Sequence, residues 1–400
     1  MSVLRVLYLH PAAAFGGASK SLIELHRQLA GDGVSGLVIT PSGGAADAFE
    51  AAGMDVSRVS GLSQFDNTRY GHYRSWRWLI LLRELWLLPG SIRALWRLGD
   101  ERVDLVHINE ITLLPLGMLA KRIWRVPLVV HTRSLQCRPG SSWRTRLIQA
   151  WLVKFADAVV AIDHTVARTL GPGLALHVVH NGLGLRRGGE RADLRPGDVF
   201  RVGFLGVLLP LKGVFELVEA VRLLRDRGVR VQCLIAGENA RPMTGLRGWL
   251  LGRFGFARDV RKDLEQFIQR ENLGDKVQLL GFVEDVEALY ERLDVLCFPS
   301  HLDAAGRPVF EAAFHGVPSV VVIENPLSDA VLHGVTGLAV PTPDPVLIAD
   351  ALERLAADPV YCQRLGAQAR FWADETFSIR ANATRMMGIY RQLLTVRSAD

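Results

Sequence analysis

Four hundred residues with 49% hydrophobic side chains suffice for two domains of ordinary size, each with its own core, and argue against a disordered chain. The four cysteines, Cys137, Cys233, Cys297 and Cys362, are far apart and form no C-x-x-C pair, which argues against a disulfide framework or a cysteine metal site and reads as reduced thiols in a cytosolic protein. Residues 1–190 hold 22 Lys and Arg against 14 Asp and Glu, while the other 210 hold 25 against 27, so the first half is the electropositive one and suits an anionic partner.

The first predicted element is a buried strand over Leu4–Leu9. Arg5 interrupts its apolar run, which is too short for the hydrophobic region of a signal peptide. No run of eighteen uncharged apolar residues follows anywhere, so no spanning helix is expected. Phe15-Gly16-Gly17-Ala18-Ser19-Lys20-Ser21 then leads from strand to helix. Glycines let backbone amides approach a phosphate, although tight strand-to-helix turns of any purpose use them. Further strands are predicted at Gly36–Thr40, Leu105–Ile108, Leu128–His131, Ala158–Ile162 and Leu176–His180. Their continuous apolar character fits parallel strands covered on both faces.

Between Gly36–Thr40 and Leu105–Ile108 lies Tyr70–Arg97, with Trp76, Trp78, Trp86 and Trp96, five arginines and a single acid, Glu84. Pro89-Gly90 predicts two short helices here. Aromatic rings with arginine favour a membrane interface, and an anionic membrane surface is the expected contact of residues 70–97. Arg241–Arg261, with Trp249 and Phe254, is a second basic apolar insert. No nucleic-acid reader is visible, and no nucleic-acid partner is expected.

His107 and His131 each end a buried strand. The Asn181-Gly182 pair is a turn by its chemistry. Residues 186–199, rich in Arg, Gly, Asp and Pro, read as a linker, and the pattern restarts with strands at Arg201–Leu205, Val231–Ala236, Val277–Leu280, Val295–Phe298 and Ser319–Ile323. Gly206 ends the first of these and Lys212-Gly213 follows shortly. Another strand end, at Pro299-Ser300, leads to a loop with Asp303 and Gly306, then Arg307. Pro308 opens a helix that carries Glu311 in its first turn. The free amides of that helix end form an anion site. Two carboxylates eight residues apart therefore flank a phosphate-sized positive pole, which suits a nucleotide-sugar. A tail helix is expected over Ile379–Leu394.

The stretch from Asp303 to Gly316-Val317-Pro318 resembles the acidic signature of retaining glycosyltransferases of the family 4 type, in which Glu, seven residues and Glu precede a Gly-x-Pro turn. Asp303 stands at the first acidic position and Glu311 at the second. The resemblance implies two Rossmann-like doubly wound domains facing across a cleft, the fold class called GT-B, with a C-terminal helix crossing back. The domains fall at 1–188 for the acceptor, 189–199 as linker, 200–375 for the nucleotide-sugar and 376–400 as the returning helix. It implies catalytic roles for His131, Lys212, Asp303 and Glu311, and donor binding by Gly16, Gly17, Gly206, Phe282, Gly306, Arg307 and Pro308 beside Lys212 and Glu311.

The family's Gly-Arg then Lys-Gly pattern departs here, with Val207 in place of Arg; Arg307 is the candidate replacement charge. Val283–Tyr290, after Phe282, resembles the loop that holds the nucleobase through backbone groups. No Asp-x-Asp and no clustered His or Cys occur, so no metal and no cofactor are expected. The implied function is transfer of a sugar from a UDP- or GDP-sugar to a lipid-linked or polysaccharide acceptor of the cell envelope, by a cytoplasmic enzyme peripheral on the inner face of the membrane. The alternatives are a nucleotide-sugar epimerase or hydrolase on the same fold, and a catalytically silent membrane-associated subunit.

Overall fold

The computed structural model describes residues 3–69, 79–138, 140–184, 195, 197–239, 259–302 and 305–397. The chain divides into two compact units, Met1–Gly184 with Phe377–Asp400, and Leu185–Thr376. Asp303, residues 70–78 and residues 241–258 lie outside the described residues. So do Trp76 and Trp78, most of the second basic insert and most of the linker.

The first unit is a seven-stranded sheet. Its strands are β1 Leu4–Leu9, β2 Val34–Pro41, β3 Asp55–Val59, β4 Leu105–Ile108, β5 Leu128–Thr132, β6 Ala158–Ala161 and β7 Leu176–Val178. They pair in parallel in the order β3-β2-β1-β4-β5-β6-β7. The helices between them are α1 Gly17–Gly31, α2 Gly44–Ala51, α3 Ile80–Arg97, α4 Leu114–Trp124, α5 Trp143–Phe155 and α6 His164–Ala167. Two cores form. One, around Tyr8, Leu22, Leu29 and Phe49, also takes Ala383, Met386, Met387 and Tyr390 from the C-terminal helix, so that helix belongs to the first unit. The other, around Leu7, Ile39 and Leu95, takes in Leu116 and Leu152 from α4 and α5. Strand order reverses between β1 and β4, the point at which doubly wound sheets hold ligands outside their carboxyl ends.

The second unit repeats the plan. Its strands are β8 Phe200–Leu205, β9 Val231–Ala236, β10 Val277–Gly281, β11 Val295–Phe298, β12 Ser319–Val322 and β13 Gly337–Val340. They run parallel in the order β10-β9-β8-β11-β12-β13. Its helices are α7 Val214–Asp226, α8 Val260–Arg270, α9 Val286–Glu291, α10 Arg307–Phe314, α11 Pro345–Ala357 and α12 Pro359–Thr376. The reversal falls between β8 and β11. The C-terminal helix α13, Ile379–Arg397, follows.

Three expectations need correction. Strands β3 and β13 are not among the predicted ones: both lie at sheet edges, β3 as a polar run with Asp55, Ser57 and Arg58, and β13 as a short Gly-Leu-Ala-Val run without β-branched residues before its last. The helix α10 begins at Arg307 with Gly306 as its cap and Pro308 in its second position, so Glu311 opens its second turn rather than lying in the first. Finally, Pro89 does not split its stretch, because α3 runs unbroken through it. A proline removes one helical hydrogen bond, from its own missing N–H to the carbonyl four residues back. Here that carbonyl belongs to Leu85, and both Leu85 and Pro89 are exposed, so water can serve it.

Helix α3 is apolar on both sides. Its inner face buries Ser91, Ala94 and Leu95 with Glu84, whose Oε2 accepts from the Gln64 amide at 2.8 Å. Its outer face carries Leu79, Leu82, Trp86, Pro89, Arg93, Trp96 and Arg97, three or four residues apart, so they share one stripe. All are exposed, with Leu82 at 64% and Trp86 at 84%.

Candidate active site

In the second unit the site elements gather where β8 and β11 end. Gly206 leaves β8 at φ 149°, and exposed Val207 follows. Lys212 ends a short 3₁₀ turn, and Gly213 caps α7 in the left-handed region at φ 74°. A Cβ on Gly213 would lie 1.8 Å from the Pro299 carbonyl oxygen, so only glycine lets this loop lie on the end of β11. The His301 amide donates to the Leu211 carbonyl at 3.0 Å and the His301 ring meets Glu216 of α7 at 2.9 Å. Together these contacts fix the backbone around Lys212.

The Lys212 ammonium lies 5.1 Å from the centre of the Phe298 ring. Among the described residues no carboxylate pairs with it, and burial lowers its pKa. A half-buried ammonium held against an aromatic face is a charge in want of an anion. The α10 cap stands on the same ring: a Cβ on Gly306 would lie 2.4 Å from Phe298. One residue on, Arg307 Nε donates to Glu311 Oε1 at 2.7 Å, and Tyr290 Oη donates to Glu311 Oε2 at 3.0 Å. The candidate replacement charge is therefore shared with Glu311. Glu311 is buried at 7% exposure and its carboxylate is held in one orientation. Phe282 follows Gly281 at the end of β10 and exposes its ring.

The first unit carries a different constellation at its own strand ends. Arg133, just past β5, donates to Asn109 Oδ1 at 2.9 Å and to Asn181 Oδ1 at 2.6 Å, and its Nη2 lies 3.4 Å from His131 Nδ1. A guanidinium can only donate, which decides the rest of the network. His131 Nδ1 must accept, so the proton in its 3.2 Å contact with His107 Nε2 belongs to His107. His107 Nδ1 then accepts from Tyr390 Oη of α13 at 2.6 Å. By the same reasoning Asn109 turns its amide nitrogen to His10 Nδ1 at 2.8 Å, and His10 donates from Nε2 to Ser19 Oγ at 3.3 Å. Ser19 Oγ also accepts from the Gly16 amide at 3.3 Å.

His131 is left with its proton on Nε2, buried and without a hydrogen-bond partner among the described residues. Burial first, and then the Arg133 charge, lower the pKa of His10 and His107 to about 3 and that of His131 well below its ordinary value. The three rings are neutral donors at physiological pH.

His131, Gly16 and Gly17 thus lie at the carboxyl ends of the first sheet, while Gly206, Lys212, Gly306, Arg307, Pro308, Glu311 and Phe282 lie at those of the second. Sequence reasoning missed Arg133, Asn109, His10 and Tyr390. The signal was there in part: a polar residue directly follows β1 (His10), β4 (Asn109) and β5 (Arg133). Among the described residues no group of three or more His, Cys, Asp or Glu is placed to hold a metal ion. None of their helices is long and apolar enough to cross a membrane.

Two doubly wound parallel sheets in one chain, with the last helix returned to the first, are the GT-B architecture of glycosyltransferases. The family model for glycosyl transferases group 1 matches residues 190–372, and that for glycosyltransferase family 4 matches residues 15–187. The chain belongs to this glycosyltransferase family and is an enzyme of that class. It is 24% identical to a glycogen synthase of Mycobacterium tuberculosis over 98% of this chain and 94% of that protein. It is 29% identical to a D-inositol 3-phosphate glycosyltransferase of Saccharomonospora viridis over 73% of this chain and 70% of that one. Among solved structures, the Anabaena protein HepE in complex with UDP superposes with a TM-score of 0.74 at 20% identity, covering 97% of this chain and all of that one.

Proposed function

We propose that the protein is a retaining transferase that moves a sugar from a nucleotide-sugar to a hydroxyl of a lipid-linked or polysaccharide acceptor in cell-envelope synthesis. The observation that carries the reading is Lys212, half-buried against Phe298 with no carboxylate partner among the described residues, beside the amino end of α10. That is a seat for a diphosphate. Lys212 and the α10 amides stabilise the charge that grows on the leaving group, which is a large share of catalysis at such a centre. Glu311 accepts from ribose hydroxyls and Asp303 from the sugar's. His131 offers its Nε2–H to a hydroxyl of the transferred sugar.

The bond from the anomeric carbon to the diphosphate breaks as the acceptor oxygen bonds on the same face. The acceptor's proton passes to a diphosphate oxygen. With protein cations in this role the reaction needs no metal, and a chelator should leave its rate unchanged. HepE was crystallised with UDP and with UDP-glucose, so a UDP-sugar is the first donor to test, with GDP-sugars beside it.

The outer stripe of α3 supports a peripheral place on the inner face of the cytoplasmic membrane. Leucines, tryptophans and arginines on one face suit an anionic bilayer surface. Trp86→Ser with Leu82→Ser should release the protein from vesicles containing anionic lipid; unchanged co-sedimentation would remove the membrane from this reading.

Val207, exposed where the family pattern has Arg, favours a second reading, a subunit that binds donor without turning it over. The deciding assay follows nucleotide release with and without acceptor, and the product's anomeric configuration by NMR. Glu311→Gln and Asp303→Asn should each cut transfer more than tenfold. Wild-type rates in both, or an inverted product, would refute the retaining assignment.

A further inference from the structure

The first unit contains a cavity of about 250 Å³ that the donor chemistry leaves unused. Its wall is drawn from four places along the chain. The loop after β3 gives Asp66, the first turns of α3 give Arg83 and Glu84, the loop after β4 gives Glu110 and Thr112, and the loop after β5 gives Ser134. Glu110 and Ser134 directly follow Asn109 and Arg133, so the cavity adjoins the polar network around His131.

We propose that this cavity receives the accepting ring of the acceptor, a single uncharged or amine-bearing polyhydroxyl ring, and that it turns away rings that carry a phosphate themselves. The inference rests on the transferase reading above and names the chemistry of the accepting ring, which that reading leaves open.

Size argues for one ring. The volume lies just under the range of roughly 300–1,000 Å³ usual for larger ligands. The lining argues for hydrogen-bond donors on the ligand. Each carboxylate is held in place by local donors. Glu110 accepts from the Ile111 amide at 2.9 Å, from Ser134 Oγ at 2.8 Å and from the Arg133 backbone N–H. Glu84 accepts from the Gln64 amide at 2.8 Å. Asp66 accepts from the amide and hydroxyl of Thr68, both at 2.7 Å. An ionised carboxylate has about four acceptor sites, more than the single hydrogen bond to Glu84 fills, and hydroxyls or ammonium groups supply the matching donors.

A phosphate supplies acceptors and negative charge, and it would face three carboxyl groups. Arg133 acts on Glu110 from beside the cavity, with its guanidinium bonded to Asn109 and Asn181, and among the described residues of the lining the sole cation is Arg83. Its side chain is 64% exposed and lies 3.8 Å from Glu84, so its charge is already opposed and open to water. Burial also raises the Glu110 pKa; protonated, that group would still hydrogen-bond a hydroxyl.

The test uses the full-length protein with saturating UDP, so that acceptor binding is read apart from turnover. Saturation-transfer NMR compares inositol, a neutral methyl glucoside, an aminocyclitol and inositol monophosphate. A neutral or amine-bearing ring should bind at least about tenfold more tightly than the monophosphate. Asp66→Asn combined with Glu84→Gln should narrow that gap. Because Glu84 is buried, Ser134→Phe serves as a second variant that fills the cavity and should abolish ring binding, with UDP titration as its control for folding. Equal or tighter binding of the monophosphate overturns the proposal. So does ring binding that survives Ser134→Phe. Absence of any ring binding while UDP still binds overturns the cavity's role and leaves the donor reading standing; absence of UDP binding defeats both.

Discussion

The two units share a strand plan but finish their carboxyl edges in opposite ways. In the second, the working surface is backbone and one cation: Gly213 and Gly306 press loops onto Pro299 and Phe298, and Lys212 waits beside them. In the first, the edge is a chain of interlocked side chains from Tyr390 through His107, His131, Arg133 and Asn109 to His10 and Ser19. Backbone amides and a point charge suit a group recognised by its negative charge. A rigid set of neutral donors suits a group recognised by where its hydroxyls lie. On the proposed reading the second unit supplies charge and the first supplies orientation.

Acid should separate the units most sharply. An unfolded histidine takes up its proton near pH 6.5, whereas folded His10 and His107 refuse it until about pH 3. As pH falls through that window the unfolded state binds more protons, so folded stability is lost, by about 1.4 kcal/mol per pH unit for each histidine. Glu110, whose pKa is raised by burial, returns a fraction of this. Among the described histidines of the second unit only His315 shows such a lowering. Hydrogen exchange from pH 7 to pH 5 should show the first unit opening first. A second unit that opens earlier would break the comparison.

The next largest effect is Lys212→Ala. Removing this cation should lower transfer on the order of 100-fold while the melting temperature stays within about 2 °C, because among the described residues no carboxylate loses a partner. Since burial already lowers this lysine's pKa, donor affinity should fall with rising pH well before the ordinary lysine range. A variant with full activity would move the charge-bearing role elsewhere.

Tyr390→Phe tests the orientation half of the comparison. The variant keeps the ring in its core and removes the hydroxyl that donates to His107 Nδ1. A buried acceptor left unpaired costs about 1–3 kcal/mol. Arg133 still donates to His131 Nδ1, so His131 keeps its proton on Nε2, and the loss falls on the anchoring of His107 beside it. Nitrogen-15 NMR should report His131 protonated on Nε2 in both proteins and a shifted His107 Nδ1 in the variant, with a several-fold loss of kcat. An unshifted His107 Nδ1 with full kcat would reduce Tyr390 to packing.

These contrasts explain what the chain disclosed in advance. The second unit's elements could be read from the sequence because each is local: glycine where a loop touches a strand end, proline in the first turn of α10, lysine before a left-handed glycine. The first unit's network joins residues 10, 107, 109, 131, 133, 181 and 390, which are neighbours only once seven strands and the last helix have assembled. His131 stood out by its place at the end of an apolar run; Arg133, which sets every proton in the network, looked like any surface arginine. Helix α3 misled for a related reason: a proline ends a helix when its lost hydrogen bond is buried, and exposure at Leu85 is a property of the fold.

The smallest expected effect lies in Gly16 and Gly17. Gly213 cannot be replaced, since φ 74° and the Pro299 carbonyl both forbid a side chain. Gly16 and Gly17 have no such reason in the protein itself. A Cβ on either meets nothing within 4 Å, and Gly16 is extended at φ −161°. Gly17→Ala should therefore leave stability unchanged or raise it by up to about 1 kcal/mol, since alanine in a first helical turn costs less than glycine. If the space beside these residues holds part of a substrate, the same variant raises KM with no loss of stability, a split that packing damage does not produce. An alanine that stabilises the protein and leaves KM untouched would assign both glycines to turn chemistry alone, and the first unit would then contribute only its hydrogen-bonded side chains.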